Sequence, residues 1–132
     1  MLYLLDTNFL VELRRRNPLV IARLRRHDPG ALAYSVVSLG EIQRGVVRHP
    51  PETARAMWQA WARLLEAFAQ LDFTASAALV WGRLLHETRR RQVGPRDLLI
   101  AATALVGGMT VVTHNTREFT RIGGLAVEDW QA

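Results

Sequence analysis

Short apolar runs alternate along the chain with longer segments in which apolar residues recur every three or four positions. The runs lack the alternation of apolar and polar residues that is typical of a strand with one solvent-exposed face, so they predict buried strands. They lie at residues 2–5, 31–37, 109–112 and 125–127. The periodic segments predict helices, at residues 7–13, 18–27, 38–48, 52–70, 75–91 and 95–106. A brief extended piece at residues 71–73 and a short helix or turn with Glu118 and Phe119 complete the order, which predicts an α/β sandwich with a parallel sheet covered on both faces.

The predicted helix at residues 52–70 carries large apolar side chains on one face. This aromatic stripe consists of Met57, Trp58, Trp61, Leu64, Leu65 and Phe68. We expect most of the stripe to pack in the core against the helix at residues 75–91. Any surplus would be available to a partner.

Composition indicates one domain over residues 1–132. Of the 132 residues, 49% are hydrophobic, which is typical of a single compact core. Cysteine is absent, which excludes disulfide scaffolds, thiolate metal sites and cysteine nucleophiles. The apolar runs are too short for a membrane span, and the N-terminus lacks the basic region of a signal peptide. We therefore expect a cytoplasmic protein without membrane association.

The charge balance points to an anionic partner. The net charge is +5, and all 17 basic residues are arginine. A codon bias toward arginine accounts for the choice of arginine over lysine but not for the net sign, which favours a nucleic acid or an acidic protein. Six arginines on the first two helices form either a phosphate-tracking rim or an ordinary solvated face: Arg14, Arg15, Arg16, Arg23, Arg25 and Arg26.

Four acidic residues occupy equivalent places in the predicted fold. Asp6 follows the first strand, and Glu118 follows the strand at residues 109–112. Glu41 and Asp97 lie in the first turns of their helices. The carboxyl ends of parallel strands share one edge, where ligands bind, and carboxylates that converge there need a cation to stay ionised. Oxygen ligands of this kind select Mg²⁺, and Mn²⁺ can substitute.

The same acids also fit helix capping, and this alternative stays open. Ser38 with Glu41, and Asn115 with Glu118, have the spacing of a capping box. Asp97 would favour the dipole of its helix. In a metal site, polar neighbours would orient the carboxylates or a ligated water. These neighbours are Thr7, Asn8, Ser38, Thr113 and Asn115.

The motifs, in this order, resemble the PIN domain. They are Asp6-Thr7-Asn8 after an apolar strand, Ser38-x-x-Glu41, Asp97 at the head of an apolar helix, and Thr113-x-Asn115-x-x-Glu118-Phe119. The length of the chain and one further segment resemble the VapC toxins of type II toxin–antitoxin pairs. This segment is Gly124-Leu125-x-Val127-Glu128-Asp129-Trp130.

The resemblance implies a three-layer α/β/α sandwich with a short, mostly parallel sheet of about four or five strands. It implies a Mg²⁺- or Mn²⁺-dependent endoribonuclease that cuts structured RNA, such as tRNA or rRNA. Asp6, Glu41 and Asp97 would be its metal-binding and catalytic residues. Glu118 stands at a fourth catalytic position that is often Asp in the family, and its longer side chain would reach the metal through water or not at all. The family also implies a homodimer, neutralised by a VapB-type antitoxin in a heterotetramer or larger assembly, and the surplus of the aromatic stripe would bind this antitoxin.

Other functions compete with this one. Response-regulator receivers and haloacid-dehalogenase phosphatases are disfavoured, because both need a lysine and the chain has none. A non-toxin PIN nuclease that processes structured DNA or RNA usually has a longer chain, and a catalytically weak nucleic-acid-binding module would lose its acids. The four histidines share no metal-ligand spacing, and His114, next to the acidic residues, is expected to be a solvent-facing loop residue.

Overall fold

A single parallel sheet forms the centre of the molecule. The computed structural model describes residues 2–131. In these residues five strands pair in the order β3-β2-β1-β4-β5, and every neighbouring pair is parallel. The strands are β1 (Tyr3–Leu5), β2 (Leu32–Ser35), β3 (Ala69–Leu71), β4 (Thr110–Val112) and β5 (Val127–Glu128). The predicted α/β fold is therefore confirmed.

Helices connect the strands and cover the sheet. The α-helices are α1 (Thr7–Arg14), α2 (Pro18–Leu24), α3 (Val36–Val46), α4 (Pro51–Leu65), α5 (Ala75–Glu87), α6 (Pro95–Gly107) and α7 (Thr116–Phe119). A short 3-10 helix, Pro29–Ala31, precedes β2. Gly108 caps the C-terminus of helix α6 and adopts a left-handed φ of 62° that suits glycine. Within residues 2–131 no helix is both long enough and apolar enough to cross a lipid bilayer.

The pleat of the strands divides the core into two clusters. Leu4 and its register partners Ala33 and Val111 pack with α5, α6 and α7. Leu5 and its partner Val112 pack with α1 to α4. Successive side chains of a strand point to opposite faces, so each face of the sheet is covered by its own layer of helices. This is the expected three-layer sandwich.

The boundary between β2 and α3 lies earlier than the pattern predicts. The strand ends at Ser35, whose side-chain oxygen accepts a hydrogen bond from the Val37 N–H at 3.1 Å. This cap starts α3 at Val36, two residues before the predicted start at Ser38. Ser38 is consequently fully buried inside the helix.

The end of the long helix was also predicted wrongly. The periodicity extends the helix to residue 70, but α4 ends at Leu65 and residues Ala69–Leu71 form β3 beside Ala33–Ser35 of β2. Backbone pairing with a distant strand therefore overrides a local helical pattern here. Smaller shifts affect α5, which ends at Glu87 rather than at residue 91, and the last strand, which lies at Val127–Glu128.

The aromatic stripe lies on the other face of the sheet from the one expected. Trp61 and Leu65 are buried, and the remaining members are partly buried, all in the cluster formed by α1 to α4. Helix α5 contributes to the opposite cluster, through Leu84. The prediction that the stripe packs against residues 75–91 is therefore wrong, because the sheet lies between the two helices.

The strand order determines where a ligand can bind. From the central strand β1 the chain proceeds outward through β2 and β3 on one side, and returns to β4 and β5 on the other. Such a switch between β1 and β4 opens a crevice at the carboxyl ends of the strands. Helix α6 leads into the parallel strand β4, so its N-terminus lies at this same edge of the sheet.

Candidate active site

Asp6 is the most enclosed carboxylate at this edge. It follows β1 and is 4% exposed. Its Oδ1 accepts a hydrogen bond from the Thr7 backbone N–H at 2.8 Å, which caps α1, and its Oδ2 accepts one from the Thr113 hydroxyl at 2.8 Å. Burial raises the pKa of Asp6, although the two hydrogen bonds oppose this shift. Asp6 is thus both a helix cap and a buried acid held at two oxygens.

Glu41 is held by a chain of hydroxyl groups. The Thr7 hydroxyl donates to Glu41 Oε1 at 2.8 Å, and Ser38 Oγ lies 2.7 Å from the same hydroxyl. Thr7 has a single hydroxyl proton, so Ser38 donates to Thr7 when Thr7 donates to Glu41. Arg96 Nη1 lies 3.5 Å from the other oxygen of Glu41. The capping-box interpretation of Ser38 and Glu41 is therefore wrong, because Ser35 caps the helix and Ser38 supports Glu41.

Asp97 and Glu118 are joined to each other. A hydrogen bond links the two carboxyl groups, and Asn115 Nδ2 donates to Asp97 Oδ2 over a long 3.4 Å. Burial, this hydrogen bond and the charges of Asp6, Glu118 and Glu41 raise the pKa of Asp97 to about 8. The pKa of Glu118 is lowered, first by the hydrogen bond from Asp97 and then by the Gly94 N–H and Asn115. These opposite shifts favour a proton on Asp97 rather than on Glu118.

The loop after β4 connects these acids. The Thr113 hydroxyl donates to Asp6 and accepts a hydrogen bond from the Asn115 backbone N–H at 2.9 Å. Asn115 begins α7 without a side-chain cap bond, because its side chain donates to Asp97 instead. The capping-box interpretation of Asn115 and Glu118 is therefore wrong as well.

Two polar neighbours face solvent. Asn8 is exposed and lines a cleft of about 520 Å³ together with His114 and Asn115. His114 is exposed, as expected, and its Nδ1 lies 3.0 Å from Asp129 Oδ2. Asn8 therefore has no carboxylate of the site as a hydrogen-bond partner among residues 2–131.

The donor set suits a hard divalent cation in its chemistry. The site offers carboxylate oxygens, and three of them raise the pKa of the fourth, as like charges at one place do. As the side chains stand, no three acidic or histidine side chains of residues 2–131 form a group that could hold one ion. Asp97 and Glu118 satisfy each other, and Asp6 and Glu41 are satisfied by hydroxyl groups.

The arginines of the first two helices do not form one rim. Arg14 and Arg15 line a cleft that reaches Thr7 and Glu41. Arg16 lines a neighbouring groove between α1, α2 and α4, and the Arg23 guanidinium lies 6.0 Å from the centre of the Trp130 ring. Arg25 and Arg26 are exposed at the end of α2.

Sequence reasoning missed Arg96 and Arg48. Arg96 contacts Glu41, and its one available signal is its position directly before Asp97. Arg48 lines the same cleft as Glu41, but nothing in the sequence distinguishes it from the other arginines.

Comparisons with known proteins identify the family of the chain. The model of the family described as PIN domain matches residues 3–125. The chain is 34% identical over 131 residues to the tRNA(fMet)-specific endonuclease VapC of Shigella flexneri, with 97% of each chain covered. Two solved structures superpose with TM-scores of 0.87. They are VapBC2 from Rickettsia felis bound to a DNA fragment from its promoter (28% identity) and DNA-bound VapBC from Salmonella typhimurium (29% identity), and each match covers 98% of this chain and 99% of the other.

The matched range contains the whole acidic site, from Asp6 to Glu118, together with the sheet edge that carries it. The sequence matches and the fold therefore agree in one assignment. The chain belongs to the PIN domain family, among its VapC members.

Proposed function

We propose that this chain is a metal-dependent endoribonuclease and the toxin of a type II toxin–antitoxin pair. The observation that carries the proposal is the mutual influence of four carboxyl groups where β1, β2 and β4 end. Burial, a hydrogen bond with Glu118 and the negative charges of Asp6, Glu118 and Glu41 raise the pKa of Asp97 to about 8. A group of like charges at the ligand-binding edge of an α/β sheet is typical of a functional site rather than of four separate caps.

Asp6, Glu41 and Asp97 would hold the cation, Mg²⁺ or Mn²⁺, and Glu118 would support it from the edge of the site. When bound, such a cation supplies a Lewis acid that lowers the pKa of water and stabilises negative charge on a phosphodiester. The Thr113 hydroxyl keeps Asp6 in place, and Thr7 and Ser38 keep Glu41 in place. Asn115 positions Asp97. Loss of the proton of Asp97 would free both oxygens for metal binding.

We propose structured RNA, such as tRNA or rRNA, as the substrate. The net charge of +5 favours a polyanion, and the Shigella flexneri relative is named a tRNA(fMet)-specific endonuclease. A cytoplasmic location, where these RNAs are found, is part of the same proposal.

We further propose that a VapB-type antitoxin neutralises the chain. The solved neighbours from Rickettsia felis and Salmonella typhimurium are VapBC proteins bound to DNA. An apolar groove of about 680 Å³ between α1, α2 and α4 offers a docking surface, and Leu64 and Phe68 of the aromatic stripe line it. A homodimer of the chain would carry two such grooves, giving a heterotetramer or a larger assembly with antitoxin.

Cleavage assays test the nuclease. The wild-type chain should cut total tRNA or rRNA in the presence of Mg²⁺ or Mn²⁺. EDTA should stop this cleavage, and flap DNA should remain intact. Asp6→Asn and Asp97→Asn should lose more than about 100-fold of the rate and should no longer be toxic on expression. Undiminished cleavage by Asp97→Asn in EDTA would overturn the mechanism, and cleavage of flap DNA in preference to RNA would indicate a processing nuclease.

Light scattering tests the assembly. The chain alone should have the mass of a dimer, and co-expression with the small protein of the neighbouring gene should give a stable complex of larger mass. A monomer that never co-purifies with its neighbour would contradict the toxin–antitoxin proposal while leaving the nuclease proposal intact.

A further inference from the structure

A cleft leads away from Glu41 along the surface of the molecule. It has a volume of about 370 Å³, and it runs between α1, α3 and α4. Thr7 and Glu41 form its end at the candidate active site, and Met57 and Trp61 form part of its wall. Its charged side chains are Arg14, Arg15 and Arg48, with His49 beside them. Apart from Glu41 itself, the charged residues that line the cleft are basic.

Two of these arginines have no ion-pair partner in the part of the chain that the structure describes. Arg15 is paired with Glu12 at 3.0 Å. Arg14 and Arg48, in contrast, have no carboxylate within ion-pair distance among residues 2–131. The Arg14 guanidinium lies 5.5 Å from the centre of the Trp61 ring, and its Nε is buried without a hydrogen-bond partner in the described range 2–131. A guanidinium placed against an indole in this way is held in position before any ligand arrives.

We propose that this cleft holds the RNA strand on one side of the phosphodiester to be cut, with Arg14 and Arg48 bound to its backbone phosphates. The inference rests on the proposed function, since it takes the site at Glu41 as the place of cleavage. Because the cleft ends at Glu41, an RNA strand that lies in it reaches the carboxylates of the candidate site. Arginine binds phosphate through paired hydrogen bonds. Phosphate contacts of this kind position a nucleic acid without reading its sequence.

The geometry selects these two arginines from the 17 of the chain. Arg16 and Arg63 line the apolar groove on the other side of Arg14, and Arg26 is exposed at the end of α2 and lines neither the cleft nor the groove. Arg14 lines both the cleft and the groove. A protein partner is therefore the competing occupant, and the test must separate it from RNA.

RNA binding without cleavage tests the proposal. All variants are made in the full chain with Asp97→Asn, and their affinity for a fluorescein-labelled 12-nucleotide single-stranded RNA is measured by anisotropy in EDTA over a series of salt concentrations. We expect Arg14→Ala and Arg48→Ala each to weaken binding about tenfold, the effect of one lost charge-assisted hydrogen bond. Each should also reduce the slope of log affinity against log salt by about 0.7, the value for one phosphate of a single strand. Arg26→Ala, which removes the same charge outside the cleft, should change neither quantity, and Arg14→Lys should recover part of the salt slope.

The outcomes separate the alternatives. Equal losses in Arg14→Ala, Arg48→Ala and Arg26→Ala would overturn the proposal in favour of a diffuse positive field. Unchanged RNA binding together with lost co-purification of the neighbouring small protein would overturn it in favour of a protein surface. If Arg14→Ala does not fold, as judged by its thermal melt, Arg48→Ala decides alone, because Arg48 is exposed. Failure of the proposed function shows separately, as absence of metal-dependent cleavage by the wild-type chain.

Discussion

The two halves of the candidate site differ in what their carboxylates contact. In the anchored half, Asp6 and Glu41 accept hydrogen bonds at 2.8 Å from the hydroxyls of Thr113 and Thr7. In the open half, Asp97 and Glu118 contact each other, and Asn115 is 3.4 Å from Asp97. The anchored half therefore has hydroxyl donors that stabilise ionised carboxylates, while in the open half the raised pKa of Asp97 favours a proton on that acid.

This difference predicts which half would respond to a cation. Hydrogen-bond donors compensate buried negative charge whether or not a metal is present. When two acids share a hydrogen bond with each other, one of them keeps a proton, or else a positive ion replaces that proton. We infer that the anchored half is organised by the fold alone and that the open half reaches its functional arrangement when a cation binds.

The largest expected effect is the response to metal. Added Mn²⁺ should stabilise the wild-type protein by about 2.7 kcal/mol at a hundredfold excess over Kd, and Asp97→Asn should lose most of this gain. In EDTA the same variant should be at least as stable as the wild type, because the raised pKa of Asp97 already favours an uncharged side chain at this position and the amide of the variant is uncharged too. Thermal melts of both proteins with EDTA and with Mn²⁺ measure both effects.

A loss of about 0.5–2 kcal/mol in Asp97→Asn without metal is what a simple helix-capping role would give. That result, with no Mn²⁺ response in the wild type, would contradict the proposed division of the site.

The second expected effect is a loss of folding stability when a hydrogen-bond donor of the anchored half is removed. Thr113→Val should lower the free energy of unfolding by about 1–3 kcal/mol, because the buried Asp6 carboxylate loses a donor. Thr120→Val is a matched control, since the Thr120 hydroxyl is exposed and donates to a backbone carbonyl at 3.2 Å. Urea titrations in EDTA measure both variants, and equal losses in the two would show that Asp6 is not held by its hydroxyl donor.

The third expected effect is a pH dependence of folding stability that arises from the open half. The pKa of Asp97 is raised from an ordinary 3.8 to about 8, so between these values the folded state holds a proton that the unfolded state has released. The stability that this proton brings is complete below about pH 4 and is lost as the pH rises toward 8. The wild-type protein in EDTA should therefore unfold more easily at pH 8 than at pH 5.5.

Asp97→Asn should reduce the loss of stability with rising pH. The loss that remains in this variant measures the contribution of Asp6, whose pKa is also raised. The lowered pKa of Glu118 acts in the opposite direction and below this window, as the pH falls. Equal slopes in wild type and Asp97→Asn would assign the pH dependence to other groups.

The smallest expected effect concerns the link between the halves. Arg96 extends from beside Asp97 to Glu41 at 3.5 Å and is 57% exposed. Arg96→Ala should change stability by no more than about 0.5 kcal/mol, because exposed ion pairs contribute little. Arg83→Ala, which removes the exposed pair with Glu87 at 3.3 Å, is the control. A loss above about 1 kcal/mol for Arg96→Ala alone would mean that Glu41 depends on Arg96 and that the halves are not separate.

Some features of the protein follow from the sequence alone, because neighbouring residues determine them. Apolar runs and helical periodicity predict which segments are buried, so the order of strands and helices and the places of Asp6, Asp97 and Glu118 at element ends agree with the structure. The prediction of a parallel sheet rests on the same local pattern. That these acids share one edge follows from the parallel order of the strands, which brings all their carboxyl ends together.

Other features were decided only by the tertiary structure, because they depend on residues far apart in the chain. Thr113 donates to Asp6 across 107 positions, and no local pattern contains that pairing. Residues Ala69–Leu71 continue a helical periodicity but form a strand, because β2 offers backbone partners there. Ser38 has the spacing of a cap yet supports Glu41 through Thr7, because Ser35 already satisfies the start of the helix. A sequence thus determines which side chains are buried and where elements end, while the partner of each buried polar group is decided when distant elements pack.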